Sequence, residues 1–162
     1  MSESAERIVV VLPLARLDVG ERFAVDYWPL HVTVVAPFST HSSMDEVEET
    51  VIHSVRDYCP LRVTVGGEAM FGRRQNIPVN LIRPHEGLFA LQSDLQNALQ
   101  PLMVSPRHPS QEFRPHVTAK RNGRVHEDDR LTLSHVAVVD MAPRSEPRGR
   151  VVLASVPLGA RS

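Results

Sequence analysis

Two short stretches of this chain carry the same side chains at the same spacing. One is Leu30-His31-Val32-Thr33-Val34 and the other is Pro115-His116-Val117-Thr118-Ala119. Each reads His, apolar, Thr, apolar, in a run suited to a β-strand. On a strand, residues i and i+2 point to one face. His31 and Thr33 then share a face while Val32 turns to the core, and His116, Thr118 and Val117 repeat the arrangement. Each motif sets an imidazole and a hydroxyl about 7 Å apart along the backbone. Adjacent strands would bring two His and two Thr to one spot.

That set of groups suits the making or breaking of a phosphodiester. One group must take a proton from the attacking oxygen and another must give one to the leaving oxygen. An imidazole titrating at roughly 6.5 serves in either state near neutral pH. Threonine hydroxyls can donate to the non-bridging oxygens, where negative charge develops. No metal and no other cofactor is required. A single His-x-Thr on a strand is ordinary in a chain with eight His. Two copies with apolar centres, both in strand-like runs, are not.

The paired motifs resemble those of the 2H phosphoesterase superfamily, which includes 2′-5′ RNA ligase-like proteins and RNA 2′,3′-cyclic phosphodiesterases. The resemblance implies an α+β fold, bilobal and pseudo-twofold. It implies mostly antiparallel sheets, helices on the outside and a central cleft. It makes His31, Thr33, His116 and Thr118 the catalytic candidates. It also implies a basic residue after the second motif, where Lys120 stands.

The elements that must position the motifs are readable in outline. Ile8 to Leu14 is an apolar run typical of a buried strand, and Arg16 to Ala24 is a connection. The first motif strand runs to about Ala36, where Pro37 stops it. Ser43 and Glu46 have capping-box spacing. Val47, Val51, Val55 and Tyr58 then follow at helical intervals, so a helix is expected from Ser43 to about Tyr58. Leu61 to Val65 and Ile77 to Leu81 alternate as strands of a hairpin, with a bulge at Gly66-Gly67. Pro78 marks the second as an edge strand or a bulged one. Leu88, Leu91, Leu95, Leu99 and Leu102 stripe a second helix. A Pro-rich loop over Ser105 to Gln111 leads to the second motif strand, about Phe113 to Lys120. Leu131 to Val139 reads as one long strand, Ala142 to Gly149 as a loop and Val151 to Val156 as the last strand.

The 162 residues fit one domain of two lobes, and the net charge of −1 gives no footprint for long nucleic acid. Small phosphorylated substrates or RNA ends fit better. Arg107, Arg114, Lys120, Arg121 and Arg124 cluster around the second motif. Lys120 and Arg114, with Arg73 in the hairpin turn, are phosphate-binding candidates; Arg121 and Arg124 read as solvated charges. Trp28, Phe38 and Phe113 flank the motifs and are candidates for stacking on a base, with core packing as the plainer role. No close ligand spacing among the His suggests a metal. Cys59 stands alone, so no internal disulfide forms. The opening residues lack a basic leader, and no apolar run suffices for a membrane. A cytoplasmic monomer is expected.

The expected function is hydrolysis of 2′,3′-cyclic phosphate ends of RNA or nucleotides. Alternatives are a 2′-5′ RNA ligase, a phosphodiesterase for cyclic or 2′-5′-linked oligonucleotides, or a non-catalytic module that binds a nucleotide or RNA end.

Overall fold

A computed structural model describes residues 5–105, 113–142 and 149–159. The strands are β1 (Glu6–Pro13), β2 (Arg22–Ala24), β3 (His31–Thr40), β4 (Leu61–Phe71), β5 (Ile77–Ile82), β6 (His116–Thr118), β7 (Arg130–Leu133), β8 (His135–Asp140) and β9 (Gly149–Pro157). The helices are α1 (Met44–Val55) and α2 (Glu86–Leu99). The strands form a sheet in the order β2-β9-β8-β1-β3-β6-β5-β4-β7, and the assigned pairings are antiparallel. The two motif strands, β3 and β6, are neighbours at its centre.

Both helices cover one face of the sheet. Val47, Val51 and Val55 of α1 and Leu88, Leu91, Leu95 and Leu99 of α2 are buried there against Val32, Val34 and Val117. Each such Val or Leu contributes about 1.5–3 kcal/mol by leaving water. This stripe holds the motif strands flat from behind, through the central Val of each motif. Ser43 caps α1, its side-chain oxygen accepting from the Glu46 amide at 3.2 Å. Ser43→Ala should destabilise the protein by about 1 kcal/mol, read as a lower urea midpoint with an unchanged slope.

A smaller cluster covers the opposite face on the β1–β8–β9 side. It comprises Val9, Val11, Leu17, Trp28, Ala137, Val139 and Val152. The segment after β1 folds back over this face and carries Trp28 with it.

Several expectations about the strands are corrected, among them the connection Arg16 to Ala24, whose end, Arg22–Ala24, pairs with β9 as β2. Pro37 does not end β3, which continues to Thr40. The register slips between Ile8 and Val10, opposite Val35 to Phe38, so Pro37 sits in an irregular stretch where its missing N–H disrupts no ladder. The stretch 131–139 is two strands. β7 pairs with β4 and β8 with β1, and only Ser134 lies between them. The sheet must therefore curl round as a half-barrel, bringing two distant strands of its order end to end. β5 is internal, between β4 and β6, with Pro78 near its start opposite Met70. Pro78 still accepts from the Ala119 amide through its carbonyl at 3.1 Å. The bulge expected at Gly66-Gly67 is present as a register shift between Val65 and Glu68. A Cβ on Gly66 would meet the Leu81 carbonyl at 3.3 Å.

Most of the Pro-rich stretch 105–111, the loop 142–149 and Arg107 lie outside the described residues. No helix among the described residues is long and apolar enough to cross a membrane.

Candidate active site

β3 and β6 run antiparallel with Val32 opposite Val117. One residue to either side, His31 stands across from Thr118 and Thr33 across from His116. The four polar side chains therefore share the face away from the helices, each His beside the other motif's Thr. The two imidazoles are diagonal neighbours, about 7–8 Å apart at the backbone. Apolar residues bound this island in register: Val11 and Pro13 of β1 on one side, Val79 and Leu81 of β5 on the other.

Both imidazoles are held in the same way. His31 Nδ1 lies 2.8 Å from the Pro29 carbonyl oxygen, and His116 Nδ1 lies 2.8 Å from the Arg114 carbonyl oxygen. A carbonyl only accepts, so each Nδ1 carries its proton and donates. In the neutral ring Nε2 is then the unprotonated, basic nitrogen. In each case the acceptor lies two residues before the His, so a backbone group just ahead of the motif sets the tautomer.

An aromatic ring backs each imidazole. Trp28 lies 4.4 Å from His31 between ring centroids, and Phe71 meets His116 edge-on at 4.5 Å. Each of those rings also carries a cation. Lys120 Nζ is 5.8 Å and the Arg150 guanidinium 5.6 Å from the Trp28 centroid. The Arg114 guanidinium lies 4.9 Å from that of Phe71. Such ring–cation pairs contribute about 0.5–1 kcal/mol when exposed and more when desolvated.

Burial pulls His31 down from the ordinary 6.5 to about 4, opposed by its bond to Pro29 and assisted by the charges of Lys120 and His116. His31 is therefore neutral across the physiological range.

The structure brings together His31, Thr33, His116, Thr118, Lys120 and Trp28, with Arg114 beside Phe71. It does not bring Phe38 or Phe113 to the motifs. Phe38 is buried in the core on the helix side, and Phe113 packs edge-on against Phe89 of α2. Arg73 is exposed in the β4–β5 turn, two residues beyond Phe71. Arg121 pairs with Asp26, and Arg124 with Glu68 and the buried Asn80. No group of three or more His, Cys, Asp or Glu among the described residues could hold a metal ion. Two site residues were not singled out in the sequence, Phe71 and Arg150. The alternation of β4 hints at Phe71. Arg150 stands three strands from β3, and only the strand order reveals it.

The model of the 2′-5′ RNA ligase superfamily matches residues 13–137. The chain belongs to this superfamily. Its members are phosphoesterases and ligases. The fold agrees with that of solved relatives. The Thermus thermophilus protein TT0787 aligns with a TM-score of 0.62 at 16% identity, over 96% of this chain and 100% of that one. Escherichia coli LigT, solved with 3′-AMP, aligns with a TM-score of 0.62 at 15% identity, over 95% and 98%. LigT solved with ATP gives 0.60 at 15% identity, over 96% and 99%. No curated protein matches the sequence.

Proposed function

We propose that this member of the superfamily is a metal-independent phosphoesterase that opens 2′,3′-cyclic phosphate ends of RNA or nucleotides. One observation carries the reading. Both Nδ1 atoms are committed to backbone carbonyls, so in each neutral ring Nε2 is the nitrogen left for proton transfer, and the register sets each His across from the other motif's Thr.

In this reading the cyclic phosphate lies between the imidazoles. Thr33 and Thr118 donate to its non-bridging oxygens and stabilise the charge that builds there. A water attacks phosphorus while His31 Nε2 removes its proton. The bond from phosphorus to one ribose oxygen breaks, and protonated His116 Nε2 gives that oxygen a proton. His31 suits the base role because burial keeps it neutral. One proton is taken and one given, so bulk water resets the pair by moving a proton from His31 to His116. Lys120 and Arg114 add positive charge on either side. The complex of LigT with 3′-AMP supports a ribose-phosphate ligand for this fold. The superfamily's name supports the related transfer, in which a ribose hydroxyl replaces water as the nucleophile.

The test is turnover of the four nucleoside 2′,3′-cyclic monophosphates, and of short RNAs ending in a 2′,3′-cyclic phosphate, in excess EDTA. Hydrolysis is expected to persist undiminished. Absence of turnover on every one of these substrates would overturn the reading, and activity abolished by EDTA would overturn its metal independence.

A further inference from the structure

Lys120 and Arg150 meet at one tryptophan, although they come from opposite parts of the sheet. Lys120 follows β6 and is fixed by a two-way backbone bridge to Gly123. Arg150 is the second residue of β9 and lies opposite Phe23 of β2. It is two residues before Val152, which belongs to the cluster around Trp28, so both share that face of the sheet. Phe23 stacks on Trp28 at 5.9 Å from the other direction.

Neither cation forms an ion pair among the described residues. The Arg150 guanidinium donates to the Gly149 carbonyl at 2.8 Å, and its Nε is buried with no hydrogen-bond partner. Asp26 faces Lys120 and Asp140 faces Arg150, each near enough to favour the charged form but not in an ion pair with it. Burial lowers the pKa of both cations, and the charge of Arg150 lowers that of Lys120 further. Two part-buried cations gathered on one ring, with no carboxylate among the described residues in contact with either, leave a place for an anion.

Arg150 is offset from the reacting centre, whereas Lys120 adjoins it. β8 and β1 separate β9 from β3, a lateral distance of about 14 Å at the usual strand spacing. Trp28 stands on His31's side of the motifs, and His116 has Phe71 and Arg114 instead. A phosphate held between the two imidazoles leaves Arg150 free for a different group of the same ligand.

We propose that Lys120 and Arg150 form a second anion site on Trp28 that binds a non-reacting phosphate of the substrate. The preferred substrate is then a cyclic phosphate carrying a further phosphate, rather than a bare cyclic nucleoside monophosphate. A flanking diester of an oligonucleotide and a 5′-phosphate offer the same chemistry. This rests on the reading of the motifs as a phosphate site, but not on turnover.

Binding decides it. Calorimetry would compare adenosine 3′-monophosphate, adenosine 3′,5′-bisphosphate and the dinucleotide ApAp at low salt. Wild type should bind one or both of the two-phosphate ligands at least about tenfold more tightly than the monophosphate, since charge-assisted contacts to one phosphate suffice for that. The preference should shrink as salt is raised. A preference for the bisphosphate alone assigns a 5′-phosphate, and one for ApAp alone a flanking diester. Arg150→Met should bring the ratio to within about twofold, and Arg150→Lys should keep part of it. His31→Ala should keep the preference whatever it does to catalysis. Equal wild-type affinity for all three ligands overturns the proposal without any variant having to fold. A preference that survives in a folded Arg150→Met also overturns it. Failure of the hydrolysis assay alone would count against the catalytic reading and leave this binding ratio to decide the second site.

Discussion

His31→Ala and His116→Ala should each slow hydrolysis of a nucleoside 2′,3′-cyclic phosphate by about 10²–10⁴-fold, the contribution of one positioned acid or base. The two losses should not multiply. Once one proton transfer is gone, the other imidazole works on a step that no longer limits in the same way, so the double variant should be little slower than the worse single one. An activated aryl phosphodiester separates the roles, because a nitrophenolate departs without a proton. On that substrate His116→Ala should recover most of its loss, whereas His31→Ala should stay slow. The reverse pattern would exchange the roles, and equal losses on both substrates would reject a division into acid and base. A His116 that donates to the leaving oxygen cannot matter to a leaving group that needs no donor.

The site was legible in the sequence to the extent that it depends on period two. The alternation in His31-Val32-Thr33 and His116-Val117-Thr118 fixes which side chains share a face, and the buried Val32 and Val117 follow from it. Helix positions were equally plain, because Val47, Val51 and Val55 and the Leu stripe repeat at three or four residues. Local signals sufficed in each case.

What lay outside local pattern was the strand order. The run from Phe113 to Lys120 looks like a strand of eight residues, yet only His116–Thr118 are paired as one. Lys120 reaches the site from a separate bridge, not from the strand itself. The stretch 131–139 has no Gly or Pro to mark a break at Ser134, but its halves find different partners because the sheet curls. Arg150 and Phe71 become neighbours of the motifs only through pairings that no sequence period encodes. Phe38 and Phe113 show the converse. Both are near a motif in sequence, and both serve the helix-side core because the chain's path carries them there.

The burial that fits His31 to accept a proton should also make the fold acid-sensitive, and stability against pH measures this. In the unfolded chain the imidazole takes a proton near its ordinary 6.5, whereas in the folded protein it does so only at about 4. Between those values the unfolded state binds more protons, so stability falls as pH falls. The contribution is intact above pH 6.5, declines steadily below it, and levels off beneath the folded value, by which point about 3 kcal/mol is lost. Other groups also titrate in this range, so the measurement is a difference. Urea unfolding of wild type and His31→Asn at intervals from pH 7.5 to 4.5 should show two curves that converge on acidification. Asparagine retains an N–H for the Pro29 carbonyl and takes up no proton. Relative to its own value at pH 7.5, the variant should therefore be spared about 2–3 kcal/mol of the wild-type loss, an order-of-magnitude figure from the same linkage. Parallel curves would mean that His31 titrates alike in both states. It would then be as ready to carry a proton near neutral pH as to accept one, and the assignment of His31 as the base would fall with it.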